Sequence, residues 1–176
     1  MILDLITKKQ DEFYTPSYAV KPILKYVPSG SRVLCPFDTE DSNFVKLLTE
    51  HGCMVTHSHI VDGVDFWDMT PKVSDFDFVI SNPPYSCKGD VLQRLFDWKI
   101  PFAMLIGVVG LFESQKRFEM FRGNNFEIMY LNRRVSYFQD YADPRPKLNP
   151  PFSSVYLTSN MLPDQIMFEE INKSNV

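Results

Sequence analysis

Cysteine is scarce in this chain, and Gly-rich phosphate loops, internal repeats and long hydrophobic runs are missing. The three cysteines, Cys35, Cys53 and Cys87, are odd in number and far apart. No pair has CxxC spacing, which excludes a zinc ribbon or a disulfide scaffold and points to buried thiols in a reducing compartment. His57 and His59 sit at one strand end without further ligands, so no metal site is expected. The longest apolar run, Ile100 to Leu111, is too short to span a bilayer. Near the start, Lys8 and Lys9 follow the short apolar stretch instead of preceding it, the wrong order for a secretory signal. An excess of positive charge is also absent: 18 basic against 22 acidic side chains give a net charge of −4. A wholly electrostatic nucleic-acid binder is thereby excluded. The expectation is a soluble cytoplasmic protein of one domain over residues 1–176, long enough to bury a sizeable core.

What is present is an ordinary globular balance, 44% apolar and 23% charged, with 15 Phe, 8 Tyr and 2 Trp. Short apolar runs over 32–36, 53–60, 76–81, 102–109, 126–131 and 153–158 read as strands. Between them, Tyr18 to Val27, Phe44 to Leu48, Val91 to Phe96 and residues 114–122 carry apolar side chains at helical spacing. Strands alternating with helices predict an α/β fold with a mainly parallel sheet and helices on both faces. The last two strands have no helix between them, so an antiparallel edge strand is expected, with a closing helix over 164–171. Residues 132–152 hold Pro144, Pro146, Pro150 and Pro151 and read as a long loop, which in a compact domain is often functional.

Charge divides along the chain. Residues 31–80 hold 3 basic and 9 acidic side chains, whereas 111–151 hold 7 basic and 5 acidic. In the second half, Arg133, Arg134, Arg145 and Lys147 are interleaved with Tyr137, Phe138 and Tyr141. That composition suits a surface for phosphates and bases, so the 132–152 loop is a candidate substrate contact.

The strongest local signal is Asn82-Pro83-Pro84-Tyr85, directly after the apolar strand ending at Ser81. In open α/β sheets, ligands bind beyond the carboxyl ends of strands. Two prolines fix two φ angles and remove two donors, leaving rigid backbone carbonyls. Asn82 adds a side-chain acceptor, and Tyr85 a flat aromatic face. Two acceptors aimed at one point suit an NH2 group. On a nucleobase that amine is a poor nucleophile, because its lone pair is delocalised; acceptors on its hydrogens help localise the pair, by preorganised electrostatics.

Residues 77–85, Asp-Phe-Val-Ile-Ser-Asn-Pro-Pro-Tyr, resemble the catalytic motif of S-adenosylmethionine-dependent amino-methyltransferases, in the form found in N6-adenine enzymes. The resemblance spans about residues 11–160 and extends to small methyltransferase-like proteins of phages and mobile elements. It implies a Rossmann-like methyltransferase fold, with S-adenosylmethionine as cofactor and Asn82, Pro83, Pro84 and Tyr85 as the catalytic segment. Other positions match in order. Phe13-Tyr14-Thr15-Pro16 resembles the segment that touches the cofactor, Cys35-Pro36-Phe37-Asp38 the first strand and its loop, and Asp65-Phe66 the pair beside the cofactor adenine. Ser58, or His59, takes the place of the ribose-binding acid. The implied acceptor is adenine N6 in nucleic acid, single-stranded or flipped out of duplex DNA, with RNA as an alternative. A partner protein would supply target recognition, since 176 residues leave little room for a recognition domain.

Two departures bear on this. The family's first loop reads Asp-Pro-Phe-x-Gly-x-Gly, whereas Thr39 and Asp41 replace both glycines here. Asp38, Glu40 and Asp41 also cluster acids where the cofactor's carboxylate would sit, which a helix N-terminus normally welcomes. Two alternative functions are protein glutamine methylation, which uses the same tetrapeptide, and a non-catalytic adaptor or inhibitor that keeps the fold.

Overall fold

The computed structural model describes residues 13–138, 142 and 152–174. The chain begins with α1 (Ser17–Leu24), β1 (Arg32–Cys35), α2 (Asn43–Glu50) and β2 (Met54–His57). It continues through β3 (Phe78–Ser81), α3 (Lys88–Trp98), β4 (Phe102–Gly107) and α4 (Gln115–Arg122), and ends with β5 (Glu127–Leu131), β6 (Ser154–Ser159) and β7 (Ile166–Glu169). The seven strands form one sheet in the order β2-β1-β3-β4-β6-β5-β7. All pairings are parallel except those of β6, which runs antiparallel to both β4 and β5. The expected antiparallel strand is therefore β6, one place in from the outer β5–β7 pair.

Side-chain alternation sorts the core onto two faces. Val33 and Cys35 of β1, with Ala103 and Leu105 of β4, pack with α1 and α2 on one face. Leu34, Phe102, Met104 and Ile106 pack with α3 and α4 on the other. All six residues of β4 are buried, as expected of a central strand covered on both sides. α2 starts at Ser42, whose hydroxyl accepts from the Phe44 N–H at 3.2 Å, an N-cap of the usual kind. At the far end of the sheet from the candidate site, Asp77 accepts from the Arg32 backbone N–H at 2.8 Å and from its guanidinium at 2.9 Å, fastening the starts of β1 and β3 together.

The closing helix expected over 164–171 is instead β7. Its residues are fair helix formers, but tertiary pairing overrides propensity. Ile166 to Glu169 line up in parallel register with Ile128 to Leu131 of β5. Glu169 accepts from Lys25 Nζ at 2.6 Å and from the Tyr26 hydroxyl at 2.7 Å, pinning the new edge to the turn after α1. The β6–β7 turn is fixed by a buried carboxylate: Glu127 accepts from the backbone N–H groups of Asn160, Met161 and Leu162 at 3.0, 2.8 and 2.8 Å. Among the described residues no helix is long and apolar enough to cross a membrane.

Candidate active site

The parallel strands share one direction, so the turns after β1, β2, β3 and β4 gather at one edge. A cavity of about 280 Å³ opens there. Its wall brings together Tyr14 and Thr15, Phe37 and Asp38, Asp65 and Phe66, and Asn82, Pro83 and Pro84. These come from four separate chain segments, each of which resembles a cofactor-binding or catalytic segment of the methyltransferases. Ile60, Val64 and Trp67 complete an apolar side.

Asn82 ties the motif to the N-terminal segment. Its Nδ2 donates to the Phe13 carbonyl at 2.8 Å and to Thr15 Oγ1 at 3.2 Å. Thr15 is held again by Asn43, whose Nδ2 donates to the Thr15 carbonyl at 2.9 Å. Tyr14 exchanges two backbone hydrogen bonds with Phe138, each 2.9 Å. With both amide hydrogens committed, the Asn82 carbonyl oxygen is left buried without a hydrogen-bond partner among the described residues. Such a group costs about 1–3 kcal/mol, and a ligand N–H would relieve that cost.

Asp38 joins the first loop to the motif strand. Its two carboxylate oxygens accept from the hydroxyls of Ser42 and Ser81. Burial pushes its carboxyl up to about 6, and the two serine hydrogen bonds and nearby His59 and His57 hold it from rising further. Glu40 and Asp41 are exposed and off the cavity wall, so the cluster of three acids contributes one carboxylate to the site. Neither Thr39 nor Asp41 takes a positive φ. The loop as folded therefore has no need of the conformational freedom that glycine provides.

On the opposite side, Asp65 caps a single 3₁₀ turn, Phe66–Asp68, accepting from the Trp67 N–H at 3.0 Å with one oxygen. Phe66 packs on Phe37 with ring centroids 4.7 Å apart, and both rings face the cavity. Sequence reasoning missed what holds this wall. Arg94 of α3 donates from Nη2 to the carbonyls of Trp67 at 2.7 Å and Met69 at 2.8 Å. Its guanidinium lies 5.9 Å from the Phe66 ring and 5.8 Å from those of Trp67 and Trp98. No local pattern flags Arg94, since it falls outside the apolar stripe of its helix. Trp67 was legible only as the neighbour of Asp65-Phe66.

Several candidates are placed elsewhere. Cys35 is fully buried in the core beneath β1, where burial pushes its thiol up, so it is off the wall. Ser58 is buried and turned inward, its hydroxyl donating to the Pro36 carbonyl at 3.5 Å and facing Met69 Sδ at 3.6 Å. His59 does face the cavity. Pro16 is the N-cap residue of α1, beside the wall and not on it. Tyr85 packs edge-on against Phe13 and Phe152, at 4.7 and 5.1 Å, and borders the cavity without lining it. Tyr137 has no exposed surface; its hydroxyl shares a 2.7 Å hydrogen bond with Ser154 Oγ. It thus supports the Phe13–Tyr85 cluster from below, 5.6 and 6.1 Å away, and cannot meet a nucleic acid strand. Arg133 and Arg134 are exposed just past β5, whereas Arg145 and Lys147 lie outside the described residues. No group of three or more metal-ligating side chains occurs among the described residues.

No protein-family model matches the chain, and no curated protein matches it by sequence. Its fold resembles the modification subunit of a putative type I restriction enzyme from Vibrio vulnificus. The two share 14% sequence identity and a TM-score of 0.57, over 85% of this chain and 44% of that one. The chain thus spans less than half the length of that subunit. A second similar structure is the release-factor-specific protein-(glutamine-N5) methyltransferase from Alicyclobacillus acidocaldarius, at 17% identity and a TM-score of 0.37, over 81% of this chain and 88% of that one. The chain has a Rossmann-like α/β fold, shared with that modification subunit.

Proposed function

We propose that this chain is an S-adenosylmethionine-dependent methyltransferase whose acceptor is an exocyclic amine, the N6 of adenine in nucleic acid. The observation that carries the reading is the buried Asn82 carbonyl oxygen at the edge of the cavity, which has no hydrogen-bond partner among the described residues. Its orientation is set by the two bonds from its own amide nitrogen, and an N–H donor is what it lacks. The adjoining cavity fits the cofactor in its donor set. Phe37, Phe66 and Trp67 offer apolar faces for an adenine ring, and the second oxygen of Asp65 can accept from that ring's amine. Asp38 supplies a carboxylate for an ammonium group, strongest when ionised.

Bound there, S-adenosylmethionine supplies an electrophilic methyl group on its sulfonium. The chain's part is positional. Asn82 and the carbonyl of Pro83 hold the hydrogens of the acceptor amine and so localise its lone pair on nitrogen. The fixed backbone at Pro83 and Pro84 limits the geometries the amine can take, which lowers the entropic part of the barrier. Asn82 and Pro83 would keep hold of the amine as it takes the methyl group, and the one proton it gives up would leave to solvent. Tyr85 meets an aromatic acceptor by turning out of its contact with Phe13 and Phe152.

Calorimetry with S-adenosylmethionine and S-adenosylhomocysteine, with Asp65→Ala as control, tests the cofactor. Transfer of a labelled methyl group to single-stranded DNA, RNA or protein then tests the acceptor. Micromolar cofactor binding lost in Asp65→Ala, with label on DNA adenine, is the expected result. A folded protein that gives no heat at millimolar cofactor refutes the reading. Label on glutamine in protein would move the acceptor to a side-chain amide.

A further inference from the structure

A second hollow, of about 420 Å³, lies beside the first. The two share Ser86 and Cys87, immediately after the catalytic tetrapeptide. Apart from this shared edge, the second hollow holds none of the residues matched to the cofactor. It is bounded by the start of α3 and by the turn from β4 into α4, on the ligand-binding edge of the sheet. The shared Ser86 and Cys87 join it to the cavity that Asn82 lines.

Arg117 is the feature that gives this hollow a chemistry. A Cβ placed on Gly89 would fall 2.9 Å from its Nε and 3.0 Å from its Nη2, and one on Gly110 would fall 3.4 Å from its Nη1. The guanidinium thus packs against two residues that leave room for it because they have no side chain. Among the described residues it makes no ion pair. Of the carboxylates nearby, Asp90 is engaged by Lys116 at 2.8 Å, and Glu113 is exposed on the rim. Lys88 lies behind, donating from Nζ to the carbonyls of Gly107 and Val109. Burial, and then the charge of Arg117, lowers its affinity for its proton. On the wall, Lys116 is taken up by Asp90 and Arg117 is left without an ion pair among the described residues, with the buried Lys88 charge behind it; an anion on Arg117 would offset that positive charge. The adjoining β4–α4 turn leaves Val109 60% and Phe112 55% exposed, the Phe112 ring resting on Phe121 with centroids 5.1 Å apart.

We propose that this second hollow is the subsite for a phosphodiester of the acceptor strand, with Arg117 on the phosphate. The proposal rests on the nucleic-acid reading above and moves acceptor recognition from the 132–152 loop to the β4–α4 turn.

The test uses the full chain, a labelled twelve-nucleotide single-stranded DNA with a central adenine, and saturating S-adenosylhomocysteine. Binding is followed by fluorescence anisotropy from low to moderate salt. Arg117→Gln is expected to weaken binding about tenfold and to flatten the log Kd against log salt slope by about 0.7, one contact's worth for a single strand. Glu113→Gln, which removes the opposing charge, is expected to tighten binding. Arg122→Gln, at a cation already paired with Glu119 on the same helix, should change neither. Unaltered binding and salt slope in Arg117→Gln overturn the proposal, as does a wild-type chain that binds cofactor but no oligonucleotide. Oligonucleotide binding that depends on Arg117 in a chain that takes no cofactor would uphold the subsite and refute the methyltransferase reading.

Discussion

Replacing Arg94 by methionine keeps an unbranched side chain of similar reach and removes the charge and every donor. Two hydrogen bonds to the Trp67 and Met69 carbonyls are lost, together with guanidinium contacts to Phe66, Trp67 and Trp98. A charge-assisted hydrogen bond is worth about 1.5–3 kcal/mol, and these two, near the surface, belong at the low end. Each exposed cation–π contact adds roughly 0.5–1 kcal/mol. The contributions share one side chain and do not add fully, so about 2–3 kcal/mol is a fair total. The loss falls on the segment carrying Asp65, Phe66 and Trp67, a single 3₁₀ turn outside the sheet and the long helices, so local opening is expected ahead of global unfolding. Melting should therefore drop by only a few degrees, while cofactor affinity falls about 10- to 100-fold, at 1.4 kcal/mol per factor of ten. Calorimetry with S-adenosylhomocysteine measures the affinity. Tryptophan emission reports the wall, because Trp67 and Trp98 are the only two tryptophans in the chain and both lie on Arg94. Arg94→Lys, which keeps the charge and can reach one carbonyl, should fall between. The argument fails if Arg94→Met binds cofactor within about twofold of wild type, a difference of roughly 0.4 kcal/mol, with unchanged emission.

Three further outcomes are expected. Asp38 has a carboxyl raised from 3.8 to about 6 in the folded chain. The folded state then holds that proton more tightly than the unfolded state does, so its stabilising contribution is full below about pH 4 and lost as pH rises through 6. A shift of this size is on the order of 3 kcal/mol; wild type minus Asp38→Asn in urea unfolding at pH 4 and pH 7 isolates it, and an equal difference at both pH values would contradict the assignment. Asn82→Ala should lower kcat at least 100-fold, the scale of one preorganised polar group, while the protein still binds cofactor; a turnover close to wild type would remove Asn82 from the chemistry. Glu127→Ala strips the partner from three backbone N–H groups and should cost about 2–4 kcal/mol, visible as a melting temperature lower by roughly 4–16 °C, with site chemistry untouched.

Local pattern makes most of the fold legible in the sequence. The strands at β1, β3, β4, β5 and β6 and the helices α2 and α3 announce themselves through apolar periodicity, which reflects burial on one face or two. The motif at 82–85 is legible for a related reason: two prolines after an apolar strand leave the backbone little choice. Contacts between residues distant in sequence lie beyond such local patterns. The Asn82 bond to Phe13 spans 69 residues, and the Arg94 bond to Trp67 spans 27. Tyr137 has the composition of a surface contact, but packing beneath Phe13 and Tyr85 makes it core. Residues 164–171 have fair helix propensity, but an open β5 edge and the Lys25 and Tyr26 side chains make Ile166–Glu169 a strand. The sequence by itself determined six of the seven strands and where the Asn-Pro-Pro-Tyr tetrapeptide sits, because those follow from neighbouring residues. Which side chains meet across the cavity, and which are hidden under it, was decided only when the segments packed, because burial and pairing depend on partners that local order does not specify.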